Sequence, residues 1–190
     1  MERGDVILTP SWTWHDHGHE GVGPMIWLDG LDLPIYQALP VNFAQMYKES
    51  RYPSKEVAHS EWKFPWVDVQ KWLDAQPGSY ARYLYTVGDK KEHLSKIVGG
   101  HAERINAGTR SPQRQETSSF VFHVYQGSGY TLVGEPGQEK KLVWSKSDTF
   151  AVPHWDRIVH VADAGEDAYL FSFSDVPLLT NLGSYREKKF

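Results

Sequence analysis

Histidine supplies the first chemistry to weigh in this chain. In Trp12-Thr13-Trp14-His15-Asp16-His17-Gly18-His19 the imidazoles fall at alternate positions. Residues two apart on an extended strand share a face, so His15, His17 and His19 project together while Trp12 and Trp14 face the opposite way, toward packing. Neutral imidazole is a good ligand for iron(II), and an iron centre that activates oxygen keeps coordination positions open. An imidazole is also the natural proton shuttle near neutral pH. A carboxylate on a neighbouring strand, as expected for Asp29, can accept a hydrogen bond from a histidine ring N–H and fix its tautomer. Other chemistries are excluded. The chain has no cysteine, hence no disulfide, thiolate metal site or cysteine nucleophile. No Gly-x-Ser-x-Gly elbow occurs. Gly127-Ser128-Gly129 reads as a hairpin turn and not a phosphate cradle, because strand residues and no helix follow it.

Composition narrows the setting. The 190 residues suit one full domain with extra segments or two small domains, and the formal net charge is −4. The basic runs Lys140-Lys141 and Lys188-Lys189 are short and flanked by Glu, so neither nucleic acid nor an anionic membrane surface is an expected partner. No uninterrupted apolar stretch approaches membrane-spanning length and the N-terminus has no apolar signal core, so a cytoplasmic location is the expectation.

The elements that would position the histidines change character along the chain. Residues 4–10 predict a turn and a strand, residues 12–19 continue extended, and residues 24–33 predict another strand. Ile35, Leu39, Phe43, Met46 and Tyr47 then fall at helical spacing, with Pro40 dividing a turn from a short helix. Residues 51–60 read as polar loop. Residues 65–76 predict a helix with Trp66, Val69, Trp72 and Leu73 on one face, stopped by Pro77-Gly78. From Tyr80 onward strands recur, punctuated by Gly- and Asp-rich turns at the spacing of a sandwich or barrel.

Gly4–Ile35 repeats in Ser147–Leu178. Asp5 matches Asp148, Pro10 Pro153, Trp12 Trp155, His17 His160, Asp32 Asp175 and Pro34 Pro177, every pair 143 positions apart with no gap. Apolar character is kept at Ile7/Phe150, Trp27/Leu170, Leu33/Val176 and Ile35/Leu178. A period this long means duplicated domains and not a solenoid. The second copy has strands before it, over about residues 80–146; the first begins abruptly at its turn. The expected organisation is therefore the C-terminal strands of a first, truncated barrel over 1–35, a helical connector over 36–79, and a complete second barrel over 80–190. Met1 then reads as an internal methionine of a longer sequence, or as the start of a shortened one.

A Gly-Asp turn, a strand, then Pro-x-Trp and a histidine is similar to the second conserved motif of cupin barrels. The longer string Gly4–Gly18, followed by Trp27-Leu28-Asp29-Gly30-Leu31-Asp32, resembles the gentisate 1,2-dioxygenase family, which includes salicylate and 1-hydroxy-2-naphthoate dioxygenases. Phe122–Gly129 with Asp148–Asp175 resembles the second cupin of these two-cupin enzymes. The resemblance covers essentially the whole chain, but only the back part of a family member. It implies a mainly β fold, the double-stranded β-helix or jelly-roll cupin barrel with a short helical connector. It also implies Fe(II)-dependent, extradiol-type cleavage of an aromatic ring by O2, between the carbons bearing the carboxylate and the hydroxyl.

By that resemblance His15 is the third iron ligand, the other two coming from a His-x-His upstream of Met1, while His17 and Asp29 support the ligand or face the substrate. In the second copy His15 corresponds to Ile158 and Asp29 to Ser172, and the His-x-His slot reads Arg114-Gln115-Glu116. Arginine stays protonated and cannot ligate a metal. The second barrel is thus expected to lack a metal triad and to act as a structural or dimer-forming barrel. The implied partners are an aromatic hydroxy acid and O2, in a homo-oligomer. The 190-residue chain is expected to be catalytically incomplete, with iron unbound. The alternatives are a non-catalytic cupin scaffold or truncated paralogue, and a cupin of other activity, such as an isomerase, that completes its site from a partner chain.

Overall fold

A computed structural model describes residues 1–190 except 42, 51, 52 and 54. Those four fall inside the expected connector, so the loop expected over 51–60 lies partly outside the described residues. The first 79 residues hold strand β1 (Val6–Ile7), helix α1 (Leu33–Ala38), strand β2 (Lys63–Phe64) and helix α2 (Trp66–Asp74). Strands then dominate: β3 (Tyr80–Leu84), β4 (Thr86–Val87), β5 (Glu92–His93), β6 (Gly99–Ile105), β7 (Arg114–Gln115), β8 (Phe120–Gln126), β9 (Ser128–Val133), β10 (Lys140–Ser145), β11 (Thr149–Val152), β12 (Arg157–Ala162) and β13 (Ala168–Ser174), with helix α3 (Val176–Asn181) behind them.

Two antiparallel sheets make the barrel. One runs β11-β8-β13-β6-β3, the other β10-β9-β12-β7. Period-two patterning decides which side chains go inside. In β8, Phe120, Phe122 and Val124 are buried while the residues between them are not; in β12, Ile158, His160 and Ala162 are buried. These faces meet around Trp144, Leu170 and Ile105 to form the main core. Strand β6 is buried along its whole length, because helix α2 covers its outer face. Trp66, Val69 and Leu73, one stripe of α2, pack on Ala81, Tyr85, Ala102 and Tyr169. Burying each of the three larger anchors contributes about 1.5–3 kcal/mol. The helix begins after Pro65, and Gly78 turns the chain beyond its end at φ +83°. No helix among the described residues is long and apolar enough to cross a membrane.

The sequence repeat is also a repeat of conformation. Helices α1 and α3 occupy positions 33–38 and 176–181, the same span displaced by 143. Trp12 and Trp155 both take left-handed backbone, φ 64° and 62°, a conformation that bulky residues seldom adopt. The Asp5 carboxylate accepts the Glu2 N–H at 2.9 Å, and the Asp148 carboxylate accepts the Ser145 N–H at 2.8 Å. Asp32 and Asp175 both precede their helix in near-identical backbone, φ −88° and −89°.

Three local expectations differ from the structure. Residues 24–33 form no strand, although their counterparts 167–176 contain β13. Strand β13 is laddered on both sides, by β6 and β8, whereas no strand among the described residues pairs with 24–33. A strand is made by its neighbours as much as by its own residues. The helical spacing from Ile35 to Tyr47 yields only Leu33–Ala38, which ends before Pro40. Trp12, expected to pack, is 89% exposed and touches the Phe43 ring at a centroid distance of 5.8 Å.

Candidate functional site

The amino-terminal histidines lie outside the barrel, on the segment between β1 and α1. That segment is anchored at its start. Asp5 accepts the Trp66 N–H at 3.0 Å and pairs with Lys63 at 3.0 Å, and Arg3 donates to the Tyr125 carbonyl at 2.6 Å. Burial raises the Asp5 pKa, but the Glu2 and Trp66 N–H groups, then Lys63, outweigh it and leave it lowered. Further along, Gly30 lies against the Phe173 ring on the barrel's outer surface.

Between these anchors His15 and His17 are neighbours, their rings 5.8 Å apart, and His17 lies 5.7 Å from the Trp27 ring. The His15 Nδ1–H donates to the Thr13 carbonyl at 3.4 Å. His15, His17, His19 and Asp29 are all exposed. Among the described residues no group of three histidine, aspartate or glutamate side chains is placed to hold a metal ion. The geometry brings His15 beside His17 but does not assemble a metal centre around them.

The barrel interior is built differently. Glu103, on β6, is wholly buried at the middle of the lumen. Its Oε1 accepts from Arg114 Nη2 at 2.9 Å and its Oε2 accepts from the Tyr80 hydroxyl at 3.0 Å. His160 Nε2 stands 3.9 Å from Glu103 and 3.5 Å from Arg114 Nη2. A guanidinium only donates, so the His160 Nε2 lone pair faces Arg114. The proton is therefore assigned to Nδ1, which donates to Thr131 Oγ at 2.8 Å. The Trp144 indole N–H donates to the same hydroxyl at 2.9 Å.

Burial pushes the Glu103 pKa up, but Arg114, then His160 and Arg82, overcome it and hold the carboxyl at about 2. Burial lowers His160 to about 4; Glu103 pulls the other way, while Arg114 and Arg82 add to the lowering. His101 is held well below the usual histidine value by burial, then by Arg82. The lumen thus contains ionised Arg114 and Glu103 with a neutral His160.

Sequence reasoning singled out Arg114 and His160 but missed Glu103, Arg82 and Tyr80. The signal for Glu103 was present. It holds an inward position between His101 and Ile105 in a strand, where a charge requires a buried partner.

The two antiparallel sheets define residues 80–174 as a jelly-roll-type β-barrel, and residues 4–35 repeat the sequence of its segment 147–178. The proteins it resembles are 1,2-dioxygenases. The chain is 28% identical over 226 aligned positions to a 5-aminosalicylate 1,2-dioxygenase of Comamonas sp, with 100% of this chain and 57% of that protein covered. It is 29% identical to gentisate 1,2-dioxygenase 1 of Aquipseudomonas alcaligenes, covering 61% of it. Among solved structures, salicylate 1,2-dioxygenase from Pseudaminobacter salicylatoxidans matches with a TM-score of 0.83 at 27% identity, over 99% of this chain and 62% of that one. The chain therefore spans about three fifths of the length of these relatives. No family model matches it.

Proposed function

We propose that residues 4–35 and 147–178 are the closing units of two cupin barrels of a gentisate-type dioxygenase. In this reading residues 1–35 are the last part of the first barrel, 36–79 connect, and 80–190 are the second barrel. His15 is the first barrel's iron ligand, and His17 and Asp29 stand beside it, toward the substrate. The observation that carries this is where their counterparts lie. Ile158, His160 and Ser172, the equivalents of His15, His17 and Asp29, are all buried in the lumen of the second barrel. Phe122 ties two of them together, lying 4.7 Å from the His160 ring and directly opposite Ser172 in the sheet. In this reading a closed first barrel turns His15, His17 and Asp29 toward its lumen, as Ile158, His160 and Ser172 are turned in the second.

The described residues do not by themselves fit a complete iron(II) centre. The chain's contribution in this reading is one ligand and two flanking polar groups. The substrate is an aromatic hydroxy acid, since the named relatives act on 5-aminosalicylate, gentisate and salicylate, and the oligomer is a homo-oligomer.

The test compares the 190-residue chain with a protein extended through the reading frame upstream of Met1. Metal analysis and gentisate- or salicylate-dependent oxygen uptake are measured on both, with and without His15→Ala. Iron and turnover confined to the extended protein, and lost in His15→Ala, support the reading. Turnover indifferent to His15→Ala overturns it. A non-catalytic scaffold is the second reading, favoured by the Arg114–Glu103 pair that fills the intact barrel; it predicts no iron and no oxygen uptake in either protein.

A further inference from the structure

We propose that the mouth of the barrel, between Arg82 and Arg114 on one side and the C-terminal tail on the other, binds a small organic monocarboxylate.

The mouth holds a cavity of about 370 Å³, within the range of small-molecule sites. Four cationic side chains, Arg82, Arg114, Lys188 and Lys189, line it with two carboxylate side chains, Glu116 and Glu187, and the terminal residue Phe190. Arg114 is paired with Glu103 and Lys189 with Glu187, which leaves Arg82 and Lys188 as the cations a ligand would meet. The tail is fixed across the opening: the Lys188 N–H donates to the Gln115 carbonyl at 2.9 Å, and Glu187 bridges to Glu116.

The guanidinium groups are under-used. Arg114 gives Nη2 to Glu103, but its Nε and Nη1 are buried with no hydrogen-bond partner among the described residues, and Arg82 Nε is likewise buried without a hydrogen bond, 3.8 Å from Glu103 Oε1. A buried donor left unpaired destabilises the fold, so a ligand that accepts from it is favoured. Both arginines stand over the Phe120 ring, 5.9 Å and 5.5 Å from its centroid, so they share one wall. Arg82 is the movable member. Its ion pairs to Glu103 and Glu116 are both long, 3.8 Å, and its side chain keeps 26% of its surface exposed. A turn of Arg82 presents its fork to the cavity without disturbing the Arg114–Glu103 pair.

A planar guanidinium fork matches a carboxylate as well as a phosphate, and the Phe190 ring in the lining favours the organic carboxylate. A singly charged ligand is required because Glu116 and Glu187 in the same wall repel a dianion. Phe190, which lines the cavity and packs under Arg157 at 4.8 Å, offers an apolar side to the ligand's organic part. The donor set also excludes a metal cation as occupant, since arginine cannot ligate one.

The test titrates the intact chain with benzoate, acetate and inorganic phosphate, followed by amide chemical shifts and calorimetry. The expected result is saturable benzoate binding that perturbs residues around 82, 114 and 185–190 and weakens at least about tenfold in Arg82→Met, the loss of one charge-assisted contact. Lys188→Gln weakens it less. Arg114→Met strands Glu103, so the test rests on the other two variants. Phosphate binding as tight as benzoate overturns the monocarboxylate assignment. Absence of saturation up to about 10 mM benzoate, or binding unchanged in Arg82→Met, overturns the site.

Discussion

Arg114 Nη2 lies 2.9 Å from Glu103 Oε1 in the barrel lumen, where Glu103 has no exposed surface. Removing one partner of such a pair leaves an uncompensated buried charge and costs about 3–5 kcal/mol, whereas replacing both by apolar groups of similar size is often neutral. Arg114→Met alone is therefore expected to lower unfolding stability by about that amount, and the double variant Glu103→Leu/Arg114→Met to recover most of it. Urea denaturation of the single and double variants measures the difference. A double variant no more stable than the single one contradicts the pairing.

The same network sets an acid limit on stability. The pKa of His160 is lowered on folding from 6.5 to about 4. Between those values the unfolded chain binds the proton and the folded chain does not, so stability falls as pH drops from 6.5 toward 4. The pKa of Glu103 is lowered from 4.5 to about 2, so its contribution is present above 4.5 and is lost as pH falls toward 2. The two windows join into one descending limb. In His160→Gln the slope between pH 6.5 and 4 is expected to flatten while the lower part persists. Denaturation midpoints taken across this range test both halves, and a variant with the native slope removes His160 from the account.

How much of this was legible beforehand follows from where the information lies. Helix α2 was readable because its apolar stripe at Trp66, Val69 and Leu73 and its stop at Pro77-Gly78 are local. The repeat was readable because Asp5, Trp12, Asp32 and Pro34 specify turns and helix starts through short-range contacts. Those local shapes persist in the first copy without surrounding strands. The expected strand over 24–33 was not realised, because a strand depends on neighbours that sequence alone does not supply. His15 was legible only as a motif position. Glu103, by contrast, acts through Arg114, 11 positions away, and His160, 57 positions away, and only the closed barrel brings them together.

Close packing of backbone against backbone predicts a sharp glycine requirement at the β9 hairpin. A Cβ on Gly129 would overlap the Val161 carbonyl oxygen and press on the Trp144 ring. The carbonyl belongs to the neighbouring ladder strand and cannot yield without breaking the β9–β12 pairing. Gly129→Ala is expected to destabilise the barrel by about 3 kcal/mol, the upper end of the usual overpacking range, or to prevent folding. Gly165→Ala, where nothing lies within 4 Å of an added Cβ, is expected to stay within about 0.5 kcal/mol of the native protein. Thermal midpoints of the two variants compare a backbone clash with an open turn.

The duplicated aspartates separate what holds the first copy from what holds the barrel. Asp5 ties the amino-terminal segment to β2 and α2 through Trp66 and Lys63. Asp148 instead closes the turn between β10 and β11, accepting both the Ser145 N–H and its hydroxyl. Asp5→Ala removes a charge-assisted bond at the start of α2, typically about 1 kcal/mol, but the barrel strands make no use of it. Hydrogen exchange over residues 4–8 and 62–66 is expected to accelerate severalfold while β6, β8 and β13 keep native protection. Asp148→Ala, with the same local chemistry, is expected to lower the global midpoint, because its turn joins strands of opposite sheets. Equal global effects of the two substitutions would show that the first copy is as integral to the barrel as the second, contrary to the peripheral anchoring seen at Asp5.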